Sequence, residues 1–549
     1  MPSITINGTR CKFEQGQMVI QVALDNEIEI PHYCYHPGLS IVANCRICLA
    51  EIWAPNPRND NKLEPIPKLL PTCQTLAADG QEVHTDSPKA IANQRSVMEY
   101  LLINHPVDCP VCDQAGECYL QDYSYQYGRG VSRFREQKLK QPKKDLGPNV
   151  LLYMDRCIMC TRCVRFVQEV TGTNELLISG RGSNCQIDVF PGVALDNELS
   201  ANVIDLCPVG ALLDKDFLFQ QRVWFLARTP SIDGITCSGD NISIEHNDGR
   251  VYRVKPRTNH EVNRWWITDE VRYGWKFVHG EERITLPAVR GEDPYDPTEA
   301  ALAWEAAYAR AGEALTAGHV GLMVSPMLSC EDAYRLAELV TSMAENVTLA
   351  VGPVPRVGED KTFPGGFTVY AEKAPNARGV RRVLEKFSAN VLDYEAFVGR
   401  LRGGTDFATL LLTGNYPSDW VTDDLLDAIT AGGDRTVILI DTLGTKLTRR
   451  ADVVIPGATW TEKSGTFENV NNRLQAFERA IEPIDYCKTE AQIALDLAAG
   501  QTGDTPGIYN PAATRQQMAE VHGLKEFLTD VHMPAVAAMV ESDMQLVEL

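Results

Sequence analysis

The sequence opens Met-Pro-Ser-Ile-Thr-Ile-Asn-Gly, with no basic stretch and no apolar run behind it. A cleaved secretory leader is therefore not expected. No apolar run reaches the roughly 18 residues that a membrane-spanning helix needs, so membrane contact is expected only through partners. Lys/Arg-rich blocks are missing too. The balance of 52 Lys plus Arg against 73 Asp plus Glu, a net charge of −21, makes nucleic acid an unexpected partner. There is no Gly-rich phosphate loop followed by the acidic residue of a dinucleotide site, so neither NAD nor FMN is assigned to this chain. Internal repeats and low-complexity tracts are absent as well.

What is present is length and cysteine. A chain of 549 residues is too long for one core, and 44% hydrophobic with 23% charged residues is ordinary for folded domains. Of its 16 cysteines, 13 precede residue 210, and only Cys237, Cys330 and Cys487 follow. In a long chain with no leader, tight Cys-x-x-Cys spacing points to metal rather than disulfides.

Two alternating segments flank Asn7-Gly8, the signature of a type I′ hairpin, and a helical stretch follows from Val19 to Asn26. Hairpin, helix and cysteine loop together suggest a small ferredoxin-like domain. Ser87-Pro88 reads as a helix start with Ile91, Val97, Met98, Leu101 and Leu102 near one face, ended by Pro106. Residues 129–148 are basic, contain Pro142, Gly147 and Pro148, and read as a connector. Later, short apolar runs at Val320–Ser325, Val347–Val351, Ala408–Thr413, Thr436–Ile440 and Val453–Ile455 alternate with helical patterns at Cys330–Met343 and Asp419–Ala431. That alternation predicts a doubly wound α/β domain.

Three constellations carry the chemistry. Cys34, Cys45, Cys48 and Cys73 can supply the two soft sulfur ligands that each iron of a 2Fe-2S cluster needs. Zinc is the rival for any four cysteines, and the hairpin and helix upstream favour the cluster. His105, Cys109, Cys112 and Cys118 form the second set. Three thiolates hold three corners of a 4Fe-4S cube, and His105, four residues ahead, is the candidate for the fourth. A neutral imidazole in place of a thiolate makes such a cluster less negative. Cys157, Cys160 and Cys163 form the third set, completed by Cys207-Pro208. It is a bacterial-ferredoxin run whose partner run is gone: Asn197, Ser200 and Val203 stand where the other cysteines would be, and Val167 stands at the fourth position of the first run. Cys11, Cys185, Cys237, Cys330 and Cys487 stand apart from any usable spacing and read as free thiols.

These stretches resemble the large iron–sulfur subunit of respiratory complex I, NADH:quinone oxidoreductase. The likeness is carried by Cys34-Tyr-His-Pro, Asn44-Cys-Arg-Ile-Cys48, Leu102-Ile-Asn-His-Pro-Val-Asp-Cys-Pro-Val-Cys-Asp-Gln-Ala-Gly-Glu-Cys118, Arg156-Cys-Ile-Met-Cys-Thr-Arg-Cys-Val-Arg-Phe166 and Cys207-Pro-Val-Gly-Ala-Leu212. It continues through Ala451-Asp-Val-Val-Ile-Pro-Gly457 and Gly465-Thr-Phe-Glu-Asn469, and Gly414-Asn-Tyr-Pro417 resembles a loop of the molybdopterin-oxidoreductase fold, to which that family's second half is similar. The resemblance implies α+β ferredoxin-like iron–sulfur domains followed by an α/β doubly wound molybdopterin-oxidoreductase-like scaffold. The implied domains are 1–78 (2Fe-2S), 79–120 (4Fe-4S on one histidine and three cysteines), 121–216 (4Fe-4S), 217–275 (a vestigial 4Fe-4S loop) and 276–549 (a shortened scaffold). In that vestigial loop the ligand positions fall on Asp233, Thr236, Asp240 and Thr268, with Cys237 one place off.

The function implied is electron relay through one 2Fe-2S and two 4Fe-4S clusters, with no molybdopterin and no catalytic residue in this chain. A partner bearing FMN would oxidise NADH, and quinone-side hydrophilic subunits would receive the electrons. The location implied is the cytoplasmic face of a bacterial inner membrane, or the matrix side in an organelle. The alternative is the diaphorase-type iron–sulfur subunit of an NAD-linked hydrogenase or a formate dehydrogenase. A molybdenum enzyme needs a metal-ligating residue such as cysteine, and Cys330, at a helix start, is poorly set for that. An iron-only hydrogenase needs several more cysteines than the three that remain downstream.

Overall fold

The computed structural model describes residues 1–292, 296–403, 406–431 and 433–534. The chain divides into two compact units, Met1–Leu226 with Thr362–Phe367, and Ala227–Lys361 with Thr368–Leu549.

The first unit opens with the expected hairpin. Strands Ser3–Ile6 and Thr9–Lys12 pair antiparallel across Asn7 and Gly8, whose φ angles of 48° and 84° are the left-handed values a type I′ turn requires. Ile4, Ile6 and Cys11 face inward, and helix Val19–Asp25 lays Val19, Ile20, Val22 and Ala23 on them. The sheet continues beyond the hairpin in the order Thr9–Lys12, Ser3–Ile6, Glu82–His84, Leu49–Asn56, Lys62–Pro65, with Leu70–Pro71 also on Leu49–Asn56. These later strands interleave with the cysteines and carry Pro55, Pro65 and Pro71, so no clean alternation announced them.

Helix Pro88–Leu102 starts where Ser87 accepts a hydrogen bond from Ala90 N at 3.3 Å. Its fully buried face differs from the expected one. Ala90, Gln94 and Met98 are buried at four-residue spacing, while Ile91, Val97, Leu101 and Leu102 are half-buried. Gln94 is satisfied there by donating to Thr85 O at 2.9 Å. The basic connector is only partly irregular, because Lys143–Asp145 joins Val150–Tyr153 and Leu212–Asp214 in a small antiparallel sheet. Helices Arg162–Glu169 and Asn202–Leu206 complete this part.

The second unit begins with an antiparallel meander, Ala227–Ile232, Asn241–Asn247 and Arg250–Pro256. Its main sheet runs Ala288–Val289, Val453–Pro456, Thr436–Asp441, Thr409–Thr413, His319–Val324, Asn346–Val351, parallel except for the first strand. Successive residues of a strand feed opposite cores. Val320, Leu322, Val324, Leu411, Ile438 and Ile440 pack with helices Ala300–Leu315, Cys330–Met343 and Glu490–Thr502. Met323, Leu410, Leu412, Val437 and Leu439 pack with helices Tyr394–Gly403 and Asp423–Ala431. Burial on both faces is why these strands read as unbroken apolar runs.

Candidate metal centres

Strands and turns of the first sheet bring the first cysteine set together in pairs. Cys34 Sγ lies 3.5 Å from Cys45 Sγ, and Cys48 Sγ lies 3.6 Å from Cys73 Sγ. Two sulfurs on one tetrahedral metal with bonds near 2.3 Å stand about 3.7 Å apart, so each pair suits one iron. Among the described residues no three His, Cys, Asp or Glu side chains gather as a single ion would need. The two-by-two spacing therefore fits a two-iron cluster better than one zinc ion. Ala43 and Arg46 take left-handed φ values of 48° and 60°, which curl the loop around the sulfurs. Within each pair one thiol donates to the other. Cys34 is pushed up as donor while Cys45 drops to about 5, and Cys73 is pushed up while Cys48 falls.

Cys157, Cys160, Cys163 and Cys207 of the third set line one partly open pocket, together with Leu152, Ile187 and other apolar residues. Met159 and Thr161 adopt φ of 54° and 64°, so the Cys157–Cys163 loop turns sharply at alternate residues. Such turns aim backbone N–H groups inward, as in anion nests. Met159 N donates to Cys157 Sγ at 3.3 Å. Backbone N–H groups of Val209, Ala211 and Leu212 act on Cys207 in the same sense, against the burial that raises it. Burial carries Cys160 up to about 11, and Arg162 and Arg165 pull against that rise.

Two buried arginines on helix Arg162–Glu169 tie the first and third sets together. Arg165 donates to the carbonyls of Cys34 and Ser40, and to Cys160 O at 3.5 Å. Arg162 donates to Tyr35 O and to Leu206 O at 3.3 Å. A further link joins the third set to the second: Tyr119 N, next to Cys118, donates to Pro208 O, next to Cys207, at 3.1 Å.

The second set sits nearer the surface. Cys112 and Cys118 are buried, His105 is half-buried and Cys109 is exposed. Cys112 feels the charge of Cys109, and Cys118 that of Cys112 and Cys207. Burial lowers His105 to about 4, helped by Arg156 and Lys138, so its imidazole is neutral and free to bind metal at physiological pH. Arg156 bonds Asp108 Oδ2 at 2.9 Å and stacks on Tyr153. Gly210 makes room here, since a Cβ on it would lie 2.2 Å from Cys112 Sγ.

The loop expected to have lost its ligands is built from oxygen. Asp233 accepts from Ile235 N at 2.7 Å, Thr236 N at 3.1 Å, Ser238 Oγ at 2.9 Å and the Thr236 hydroxyl, and it is fully buried with Asp240. Thr268 caps helix Asp269–Tyr273 by accepting from Val271 N at 3.1 Å. Cys237 is a buried thiol, pushed up to about 12 by burial. Cys11 and Cys330 are core thiols, Cys487 is buried, and Cys185 is half-buried beside a surface pocket that also reaches Cys157.

In the main sheet the order reverses between His319–Val324 and Thr409–Thr413, the crevice where such sheets hold ligands. The ends of these strands bond to each other and to neighbouring segments. Ser325 N donates to Thr413 Oγ1 at 2.8 Å, and Tyr416 reaches Pro353 O at 2.7 Å. Asn415 N donates to Asp441 Oδ1 at 2.8 Å, and a Cβ on Gly414 would lie 2.1 Å from that carboxylate. Asn415 also reaches Glu490, which with Asp332 holds the fully buried Lys463 ammonium at 2.5 and 2.9 Å. Sequence reading passed over Lys463 and the three arginines. Arg156, Arg162 and Arg165 were visible inside the cysteine motifs, but nothing local marked them as buried.

Family models match in chain order. A 2Fe-2S iron-sulfur cluster binding domain covers residues 2–88, an NADH-ubiquinone oxidoreductase-G iron-sulfur binding region 94–133, and an NADH-quinone oxidoreductase subunit 3 ferredoxin-like domain 147–213. An NDSU1/NuoG-like 4Fe-4S domain covers 226–276 and a molybdopterin oxidoreductase model 419–499. Fold and matches together define an iron–sulfur protein of ferredoxin-like domains followed by a molybdopterin-oxidoreductase-type domain. It is similar in particular to the large iron–sulfur subunit of NADH:quinone oxidoreductase. The mitochondrial 78 kDa subunit of Neurospora crassa is 43% identical over 296 residues, 54% of this chain and 38% of that one. Its counterpart in Candida albicans is 38% identical over 354 residues, 63% of this chain and 47% of that one. The corresponding NADH-quinone oxidoreductase subunit of Rickettsia felis is 39% identical over 290 residues, 53% of this chain and 41% of that one. The chain thus spans less than half the length of these relatives. Among solved structures, an NAD+-reducing [NiFe]-hydrogenase chain is similar at 28% identity over 40% of this chain and 91% of that one, with a TM-score of 0.34.

Proposed function

We propose that this chain is an electron-relay subunit of an NADH:quinone oxidoreductase. It holds a 2Fe-2S cluster on Cys34, Cys45, Cys48 and Cys73. A 4Fe-4S cluster sits on His105, Cys109, Cys112 and Cys118, and another on Cys157, Cys160, Cys163 and Cys207. Such clusters, when bound, take and give one electron at a time between an FMN-bearing partner that oxidises NADH and quinone-side hydrophilic subunits. The observation that carries this reading is the hydrogen-bonded stitching of the three donor sets in one unit, Cys34 to Cys160 through Arg165 and Cys207 to Cys118 through Pro208 and Tyr119. The chain's task is then positional. Apolar walls line the Cys157 set, backbone N–H groups and arginines offset thiolate charge, and the sequence spacing sets the order of the sites.

Finer assignments follow the same reading. Domains run 1–78, 79–120, 121–216, 217–275 and 276–549. The 217–275 domain keeps its loop on Asp233 rather than on a cluster, and the last domain serves as scaffold without pterin. Cys109 is exposed, with Val107, Val111 and Trp224 exposed in the same unit, which suits docking of a partner near the His105 set. Among the described residues no helix is long and apolar enough to cross a membrane. We place the chain on the cytoplasmic face of a bacterial inner membrane, or the matrix side in an organelle, attached through partners.

Metal analysis of the purified chain tests this. About ten iron atoms per chain are expected, with no stoichiometric molybdenum or tungsten. About fourteen iron atoms would mean that the 233–240 loop binds a fourth cluster, and stoichiometric molybdenum would return the last domain to pterin chemistry.

A further inference from the structure

Arg162 and Arg165 are only 5% and 7% exposed, and the hydrogen bonds they make go to carbonyl and hydroxyl oxygens. A buried guanidinium is costly unless an anion or several acceptors satisfy it. Arg165 spends its donors on four oxygens: the carbonyls of Cys34, Ser40 and Cys160, and Thr161 Oγ1 at 3.3 Å from Nε. Two of those carbonyls belong to cysteines of different donor sets. The charge of Arg165 acts on Cys34 and on Cys160 alike, and the nearest acidic influence on it is Glu169, which is half-buried and holds Ser40 through its backbone N at 2.8 Å and its hydroxyl. The first turn of helix Arg162–Glu169 follows directly on Cys160, so its positive end adds to the same field.

We propose that Arg165 is a positioning residue shared by two of the electron carriers. Its planar fork fixes the spacing between the Cys34 and Cys157 sites, and its charge raises the potentials of both together. The counter-charge for the buried cation is the pair of thiolate-ligated clusters. Reduction adds an electron to a site that is already anionic. A fixed cation beside it favours that reduced form, so removing the cation lowers the potential. Lysine retains charge but lacks the fork, and reaches at most one side of the bridge. This rests on the cluster assignment above, and iron and sulfide content tests that assignment separately from the potentials.

The experiment is an EPR-monitored redox titration of the full chain with clusters incorporated, each preparation first checked for iron and sulfide. Arg165→Gln should lower the midpoints of the Cys34 and Cys157 sites. The expected size is at least a tenfold change in the reduced-to-oxidised ratio at fixed potential, which is about 59 mV for a one-electron couple. The midpoint of the His105 site should stay in place. Arg165→Lys should shift the same two midpoints less. Glu169→Gln, which removes the opposing charge and leaves the fork, should move both upward by a smaller amount. Unmoved midpoints in Arg165→Gln, or equal shifts at all three sites, overturn the proposal. If Arg165→Gln fails to retain its clusters, Glu169→Gln decides, and midpoints that stay in place there overturn it equally. A wild-type chain without the expected iron and sulfide would instead overturn the cluster assignment.

Discussion

Asp233 has four donors aimed at it and no cation beside it among the described residues. Burial outweighs those bonds and carries its carboxyl up to about 6, while Asp240 rises further through burial and the charge of Asp233. An unfolded aspartate titrates near 3.9, so the folded loop keeps a proton that the open loop gives up. A raised value means stability that is full below about 4 and is lost as pH rises toward 6. The slope for one proton is about 1.4 kcal/mol per pH unit. Asn at this position cannot titrate. We therefore expect Asp233→Asn to flatten the pH dependence of local opening between pH 5 and 6, read from amide exchange at Ile235 and Thr236 after correction for intrinsic rates. Equal slopes in variant and wild type would sink the idea that this carboxylate is the loop's titrating hub. At this scale the sequence was legible where chemistry is local. The cysteine spacings proposed the three donor sets, and Asp233, Thr236, Asp240 and Thr268 were picked out by position in the resembling loop. The hydrogen-bond hub around Asp233 depends on backbone N–H groups, which no residue letter reports.

At the scale of elements, the main sheet was readable because burial on both faces writes itself as apolar runs. His319–Val324, Asn346–Val351 and Thr436–Asp441 fall within one residue of expectation, and helix Cys330–Met343 has the expected ends. The helix expected from Asp419 begins instead at Asp423. Asp419 accepts from Val421 N at 3.0 Å, and Trp420 turns inward to donate to Asp441 at 2.8 Å, so tertiary contacts hold this stretch out of the helix. Lys463 shows the same non-locality. It joins Asp332 in the first turn of Cys330–Met343 to Glu490 at the start of Glu490–Thr502, and Ala491 N adds a bond to Asp332 at 3.0 Å. Burial pulls the ammonium down, yet the two carboxylates carry it above its ordinary value, so it stays charged. Removing one partner from a buried ionic group leaves the others unpaired. Lys463→Met should cost about 3–5 kcal/mol in urea unfolding followed by tryptophan fluorescence, with Lys463→Met/Glu490→Gln recovering part of it. A single-variant loss below about 1 kcal/mol would show that the network is decorative.

At the scale of the whole molecule, one unit gathers the cysteine sets and the other carries the doubly wound sheet. A hydride delivers two electrons, whereas iron–sulfur clusters exchange one, so in the proposed relay a flavin on a partner stands between NADH and this chain. The sequence offers no dinucleotide loop. In the second unit, Thr413, Asn415 and Tyr416, at the switch point of the sheet, hydrogen-bond to the chain itself. We therefore expect the cluster-loaded chain, purified without other subunits, to keep its visible absorption when NADH is added. Dithionite should bleach it, and an artificial one-electron acceptor should restore the colour. Adding a flavoprotein partner from a related complex should confer bleaching by NADH, at a rate set by docking rather than by this chain. Rapid bleaching by NADH alone, with FMN released on denaturation, would place a hydride-accepting site in this chain and contradict the reading of its second unit as scaffold.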